Sequence, residues 1–190
     1  MRLLSLLSLA AAGILVCGCV TEPVVVAEAL QQKVGEKVYL KTNIWYTNPA
    51  DINCMNIQQG RIIPIGTEIE PLKTTSDGDI VFKDKNNQTY TIRFSEGTTL
   101  TSMREYIKMI FTTTPPDELL KGINANVLTR IKRGEVVTGM TRRDVLLAYG
   151  YPPALRTPDL RNESWIYWMT ASRTIRVVFR GDRVTKVVEF

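Results

Sequence analysis

Thr141-Arg142-Arg143-Asp144-Val145-Leu146-Leu147-Ala148-Tyr149-Gly150-Tyr151-Pro152-Pro153 carries a helix specified at both ends by different chemistry. Thr141, with Asp144 three residues later, makes a capping box: each takes up a backbone N–H that the first helical turn leaves free. Val145, Ala148 and Tyr149 form an apolar stripe. At the far end Gly150 can take the left-handed conformation that closes a helix, and Pro152-Pro153 blocks continuation. Three strands follow. Trp165-Ile166-Tyr167-Trp168-Met169 is aromatic-rich. Ile175, Val177 and Phe179 alternate with Arg176, Val178 and Arg180, and Gly181-Asp182 turns tightly into Arg183–Phe190. Side chains alternate across a strand, so Trp165 and Tyr167 face one side of the sheet and Ile166 and Trp168 the other.

Upstream, Thr114-Pro115-Pro116-Asp117 reads as a helix start, with Thr at the N-cap and Pro at the first helical position. Leu120, Ile123, Val127 and Ile131 share one face, which Gly122 breaks into two short helices. Met103, Ile107 and Ile110 give a helix over Thr101–Phe111. Before Leu100 the period changes. Val38, Leu40, Thr42 and Ile44 alternate with Lys37, Tyr39, Lys41 and Asn43. Arg61–Ile65 and Thr67–Lys73 are further short strands, and Ile80-Val81-Phe82 pairs with Thr89–Phe94 around a turn at Lys85-Asn86-Asn87. Short strands at this spacing predict a small barrel or sandwich. Ile63-Pro64-Ile65-Gly66-Thr67 loosely resembles bacterial SH3-like domains.

The first residues read as an address. Arg2 precedes the apolar run Leu3–Val16, which is short for a membrane span and ends at Val16-Cys17-Gly18-Cys19. This resembles the lipobox of bacterial lipoproteins, which implies cleavage after Gly18 and a diacylglycerol on Cys19. Cys17 is the alternative acceptor, with Val16 the poorer residue at the cleavage position. Two or three acyl chains anchor stably where one does not. Val20, where an Asp would signal inner-membrane retention by family analogy, favours the outer membrane. Thr21–Gly35 reads as a tether with a short helical piece near Ala27–Lys33. Cys54 is then the lone thiol.

Composition excludes much ordinary enzymology. The 190 residues are 44% hydrophobic and 23% charged with a net charge of +5, which is globular. There is no histidine, hence no His-based triad, Zn–His site or histidine switch. Three cysteines are too few for a Cys₄ metal site or a disulfide framework. Asp144 is explained as a cap and Glu163 precedes a strand, so no catalytic residue, cofactor or metal site is expected. Arg130, Lys132 and Arg133 with Arg142 and Arg143 concentrate positive charge near the helical connection. They read first as a solvated surface, and otherwise suit anionic lipid head groups or an acidic partner. Trp168 marks a partner site if its sheet face is uncovered, and packing if the rest of the chain covers it.

Gly139-Met140-Thr141-x-x-Asp144-Val145, then Gly150-x-Pro152, Trp165-x-Tyr167 and Phe179-x-Gly181-Asp182-x-Val184 resemble the SmpA/OmlA (BamE-like) family of outer-membrane lipoproteins, over about 124–190. The resemblance implies two helices packed on a three-stranded antiparallel sheet, and a role accessory to outer-membrane β-barrel assembly. The short family members lack the β domain found here. The expected fold is α+β: a signal peptide (1–18), a tether (19–35), a small antiparallel SH3-like β-barrel (36–97), a linking helix (98–114) and an ααβββ unit (115–190). The expected function is that of a non-catalytic interaction and assembly factor, lipid-anchored in the outer membrane and facing the periplasm. Its partners would be outer-membrane or other envelope proteins and anionic lipid, not nucleic acid, with Arg142, Arg143, Arg133 and Trp168 as contact residues. The alternative is a module that binds cell wall or a small envelope ligand through the SH3-like part, in a pocket of Trp45, Tyr46 and Tyr90.

Overall fold

A computed structural model describes residues 25–190. The expected signal peptide, Cys19 and the first residues of the tether lie outside the described residues. The architecture is mixed α+β, with six helices and eleven strands among the described residues.

The first half runs α1 (Val26–Leu30), β1 (Val38–Leu40), β2 (Ile44–Tyr46), β3 (Ile52–Asn53), β4 (Arg61–Ile63), β5 (Glu68–Thr74), β6 (Asp79–Asp84), β7 (Thr89–Arg93), α2 (Glu96–Thr99), α3 (Met103–Ile110) and β8 (Phe111–Thr112). Six of these strands form one curled half-barrel sheet in the order β3-β7-β6-β5-β1-β8, and β2 pairs with β4 separately. The alternation read in the sequence holds: Val38, Leu40, Ile80, Phe82 and Ile92 are buried on the inner face. The sheet does not close into the small antiparallel barrel expected, and its β3–β7 pair is parallel.

The stretch read as a linking helix belongs to this half. Ser102 caps α3, whose Tyr106, Ile107 and Ile110 are buried in the same apolar cluster as the sheet. Burying that stripe is what makes an eight-residue helix stable, since short helices gain little from propensity alone. The chain then continues as β8, with Phe111 opposite Leu40 on the sheet edge. The short helix expected in the tether forms as α1 and is docked, with Val26 and Ala29 buried in that cluster.

The second half runs α4 (Pro116–Leu119), α5 (Ala125–Lys132), α6 (Arg142–Tyr149), β9 (Ser164–Trp168), β10 (Thr174–Arg180) and β11 (Arg183–Glu189). The N-cap of α4 is Pro115 rather than Thr114. Gly122, at φ +81°, separates α4 from α5, and Asn124 caps α5. The strands form an antiparallel sheet ordered β11-β10-β9. Ile131 of α5, Val145 and Ala148 of α6, and Trp165, Tyr167, Val177 and Phe179 of the sheet share one apolar cluster with Met140. The capping box at Thr141 and Asp144 is present. Gly150 has φ +79° but ψ −169°, so it is not in the left-handed helical region. It occupies the extended positive-φ region that only glycine reaches without strain.

Candidate functional site

The two halves meet at the C-terminal end of α6. A helix leaves its last four carbonyls without intrahelical donors. Here the first half supplies them. The Leu146 carbonyl accepts from Thr42 Oγ1 at 2.8 Å, the Leu147 carbonyl from the Asn43 backbone N–H at 3.1 Å and the Ala148 carbonyl from Asn43 Nδ2 at 3.0 Å. The Tyr149 carbonyl accepts from Asn56 Nδ2 at 2.9 Å and Gln58 Nε2 at 3.0 Å. Asn43 Nδ2 also donates to the Ile131 carbonyl near the end of α5, and its Oδ1 accepts from Ile65 N–H. Thr42 and Asn43 are both buried, because the chain breaks from strand geometry between β1 and β2 and turns two successive side chains inward.

Beside this seam lies a hollow of about 190 Å³, walled by Cys54, Leu100, Tyr106 and Met109 from one half and Pro153 and Leu160 from the other. Four polar side chains in its wall are engaged within the chain. Tyr106 donates to the Cys54 carbonyl at 3.0 Å, and the Thr99 hydroxyl donates to the Ser95 carbonyl at 3.0 Å. Asn56 accepts from Trp45 N–H and donates to the Asn43 and Tyr149 carbonyls. Thr157 Oγ1 accepts from Ile166 N–H. Burial pushes the Cys54 thiol and the Tyr106 phenol above their ordinary ranges, so both stay neutral. What the hollow offers an occupant is mostly hydrocarbon. Leu100, Leu155 and Leu160, large apolar residues of the flanking segments, are exposed.

Met109 and Tyr151 also line a second apolar hollow of about 180 Å³, which continues to Leu119, Leu146, Lys41 and Arg143. Lys41 Nζ donates to the Lys108 carbonyl at 3.0 Å and Arg143 Nη2 to the Leu119 carbonyl at 2.7 Å. Neither cation enters an ion pair among the described residues.

The contact residues expected from sequence do not form one patch. Arg142 is a clasp: its guanidinium lies 4.3 Å from the Phe179 ring centroid and 5.3 Å from that of Trp165. It also donates to the carbonyls of Gly181, Leu160 and Asn162 at 3.1, 2.6 and 2.8 Å. Arg143 and Arg133 are exposed. Trp168 is half-buried, with the Arg156 guanidinium 4.8 Å from its ring centroid, and its carbonyl accepts from Gln58 N–H. Of the other trio, Trp45 and Tyr46 line a hollow of only about 80 Å³. Tyr90 is buried away from it, stacked on Phe82 at 5.3 Å and edge-on to Tyr46 at 5.6 Å.

Sequence reasoning missed the roles of Thr42 and Asn43, which fit the alternation of a single strand, and of Asn56 and Gln58, polar residues between strands whose distant acceptors no local pattern reveals. Leu100, an apolar residue among threonines, was the available signal for the hollow. Among the described residues no group of three or more Cys, Asp or Glu is placed to hold a metal ion, and no helix is long and apolar enough to cross a membrane. A scan against protein-family models, a search of curated proteins and a search of solved structures found nothing that matches the chain.

Proposed function

We propose that the protein is an envelope lipoprotein that acts by binding rather than by catalysis. In this reading Cys19 carries the lipid, the outer membrane holds the anchor, and the folded part faces the periplasm. There it serves as an interaction and assembly factor for outer-membrane or other envelope proteins. The observation that carries the reading is the packing of α5 and α6 on a three-stranded antiparallel sheet. It is the element order that the SmpA/OmlA resemblance implies. The residues carrying that resemblance also have roles in the fold: Met140, Trp165 and Tyr167 are buried, and Asp144 closes the capping box. A tether confines the molecule to a surface and raises its effective concentration near membrane partners, so modest affinity suffices.

The test is metabolic labelling with a fatty acid in the wild-type chain and in Cys19→Ala, followed by affinity purification from solubilised membranes. The expected result is label on the wild type alone, with barrel-assembly proteins recovered. Label that survives Cys19→Ala removes the anchor, and recovery of no envelope protein removes the assembly role.

A further inference from the structure

We propose that the paired hollows at the seam bind a free fatty acid, with its hydrocarbon chain against Cys54, Met109 and Leu160 and its carboxylate held by Lys41 and Arg143. This inference is independent of the anchor and of the partner proposed above. Three observations carry it. First, the larger hollow is mostly apolar, and Tyr106, Asn56, Thr99 and Thr157 in its wall are already engaged. A peptide would bring backbone N–H and C=O groups that need partners; a hydrocarbon chain needs none. Second, the hollows of about 190 and 180 Å³ share Met109 and Tyr151, so they adjoin. Met109 is half-buried, and methionine is unbranched with three rotatable bonds, so its side chain can move aside to join them. Third, the wall of the second hollow carries two cations and no carboxylate: Lys41 and Arg143 line it and hold only backbone carbonyls. An amphipathic ligand with one chain and one negative end is complementary to this arrangement. The two small adjoining hollows suit one chain rather than the two of a phospholipid.

The experiment is calorimetric titration of the full delipidated chain carrying Cys19→Ala with octanoate, decanoate, dodecanoate and dodecanol. The expected result is saturable binding of one dodecanoate per chain. Each methylene added to the acid should tighten binding about fourfold, the value that burying one CH₂ corresponds to. Dodecanol should bind at least tenfold more weakly. The double substitution Lys41→Gln and Arg143→Gln should weaken dodecanoate about tenfold and leave dodecanol unchanged. Ala154→Trp, which fills the larger hollow from its half-buried loop, should abolish binding. If that variant fails to fold, Leu100→Glu at the exposed rim replaces it with the same expected loss. The proposal is overturned by absence of saturable dodecanoate binding, by equal affinity for dodecanol, or by binding that survives the filled or charged hollow. Binding of an apolar peptide in place of the fatty acid also overturns it.

Discussion

The side-chain amide of Asn43, fully buried, donates to the carbonyl of Ala148 at 3.0 Å, across 105 positions of chain. One residue of the first half thus completes a helix that the second half begins. With Thr42, Asn56 and Gln58 it donates to all four carbonyls of the last turn of α6. The halves are joined by a buried polar seam, and the fatty-acid groove borders that seam.

Asn43→Ala should therefore destabilise the whole chain. It strands the Ala148 carbonyl and the Ile65 N–H, both at buried positions, whereas the Ile131 carbonyl keeps the Gly134 N–H. An unsatisfied buried group costs about 1–3 kcal/mol, so the loss should be about 2–4 kcal/mol. Urea denaturation followed by tryptophan fluorescence measures it. A loss below about 0.5 kcal/mol, the range of an ordinary surface substitution, would show that the seam does not hold the halves together.

Gly150→Ala and Gly181→Ala separate two costs. Both glycines have positive φ, +79° and +59°. Nothing lies within 4 Å of a Cβ at Gly181, whereas one at Gly150 would meet Asn56 Nδ2 at 2.7 Å. Gly181→Ala should cost about 1 kcal/mol from backbone strain alone. Gly150→Ala should cost more, about 2–3 kcal/mol, since its φ and ψ suit glycine only and the amide of Asn56 must move. Equal melting temperatures for the two variants would contradict the seam geometry.

How much of this was legible depended on whether the signal was local. The capping box at Thr141 and Asp144 and the inward faces of Trp165, Tyr167, Val177 and Phe179 follow from spacing alone, and both are present. Gly150 was legible as a helix terminator but not in its conformation, because ψ is set by partners elsewhere: Asn56 beside it and Tyr167, whose hydroxyl donates to its carbonyl at 3.0 Å. Asn43 was read as the solvent side of a period-2 strand. That failed because strand geometry lapses between Leu40 and Ile44, and a polar side chain is buried there only to satisfy carbonyls of a distant helix. The stripe of α3 was visible, but not what it would cover. A linker and a docked helix have the same amphipathic pattern until the surface beneath them is known.

Alkaline pH should loosen the fold. The phenol of Tyr90 is pushed up to about 12, chiefly by burial and then by the neighbouring Tyr46. Tyr106, Tyr149 and Tyr167 are raised as well, in each case mainly by burial. A group whose folded pKa lies above its unfolded value contributes stability that is complete below the unfolded value, near 10, and is lost as pH rises through the folded one. Urea midpoints should therefore fall between pH 10 and 12, and phenolate absorbance should appear in step with unfolding. Tyr90→Phe should flatten that fall. An unchanged pH profile would mean that Tyr90 is not held neutral by its site.

Arg142 and Arg143 are adjacent and should behave oppositely. Arg142 lies against the Phe179 and Trp165 rings and donates to three carbonyls that close the ends of the sheet loops. Arg142→Ala should cost about 1–3 kcal/mol through lost cation–π contact and lost charged hydrogen bonds. Arg143 is exposed with one backbone acceptor, and Arg133 is exposed at the end of α5. Replacing both with Glu should change stability by at most about 0.5 kcal/mol. The same pair of changes should slow association with an anionic surface, because charge at the edge of a contact acts mainly on encounter rate. The measurement is co-sedimentation with phosphatidylglycerol vesicles at two salt concentrations, beside thermal melts of each variant. Binding should fall in Arg133→Glu/Arg143→Glu at low salt and converge with the wild type at high salt, as screening removes the attraction. Undiminished binding would show that neither arginine contacts an anionic surface and would leave the exposed Leu155 and Leu160 as candidate partner contacts. An unchanged melt for Arg142→Ala would show that the rings and carbonyls do not depend on its charge.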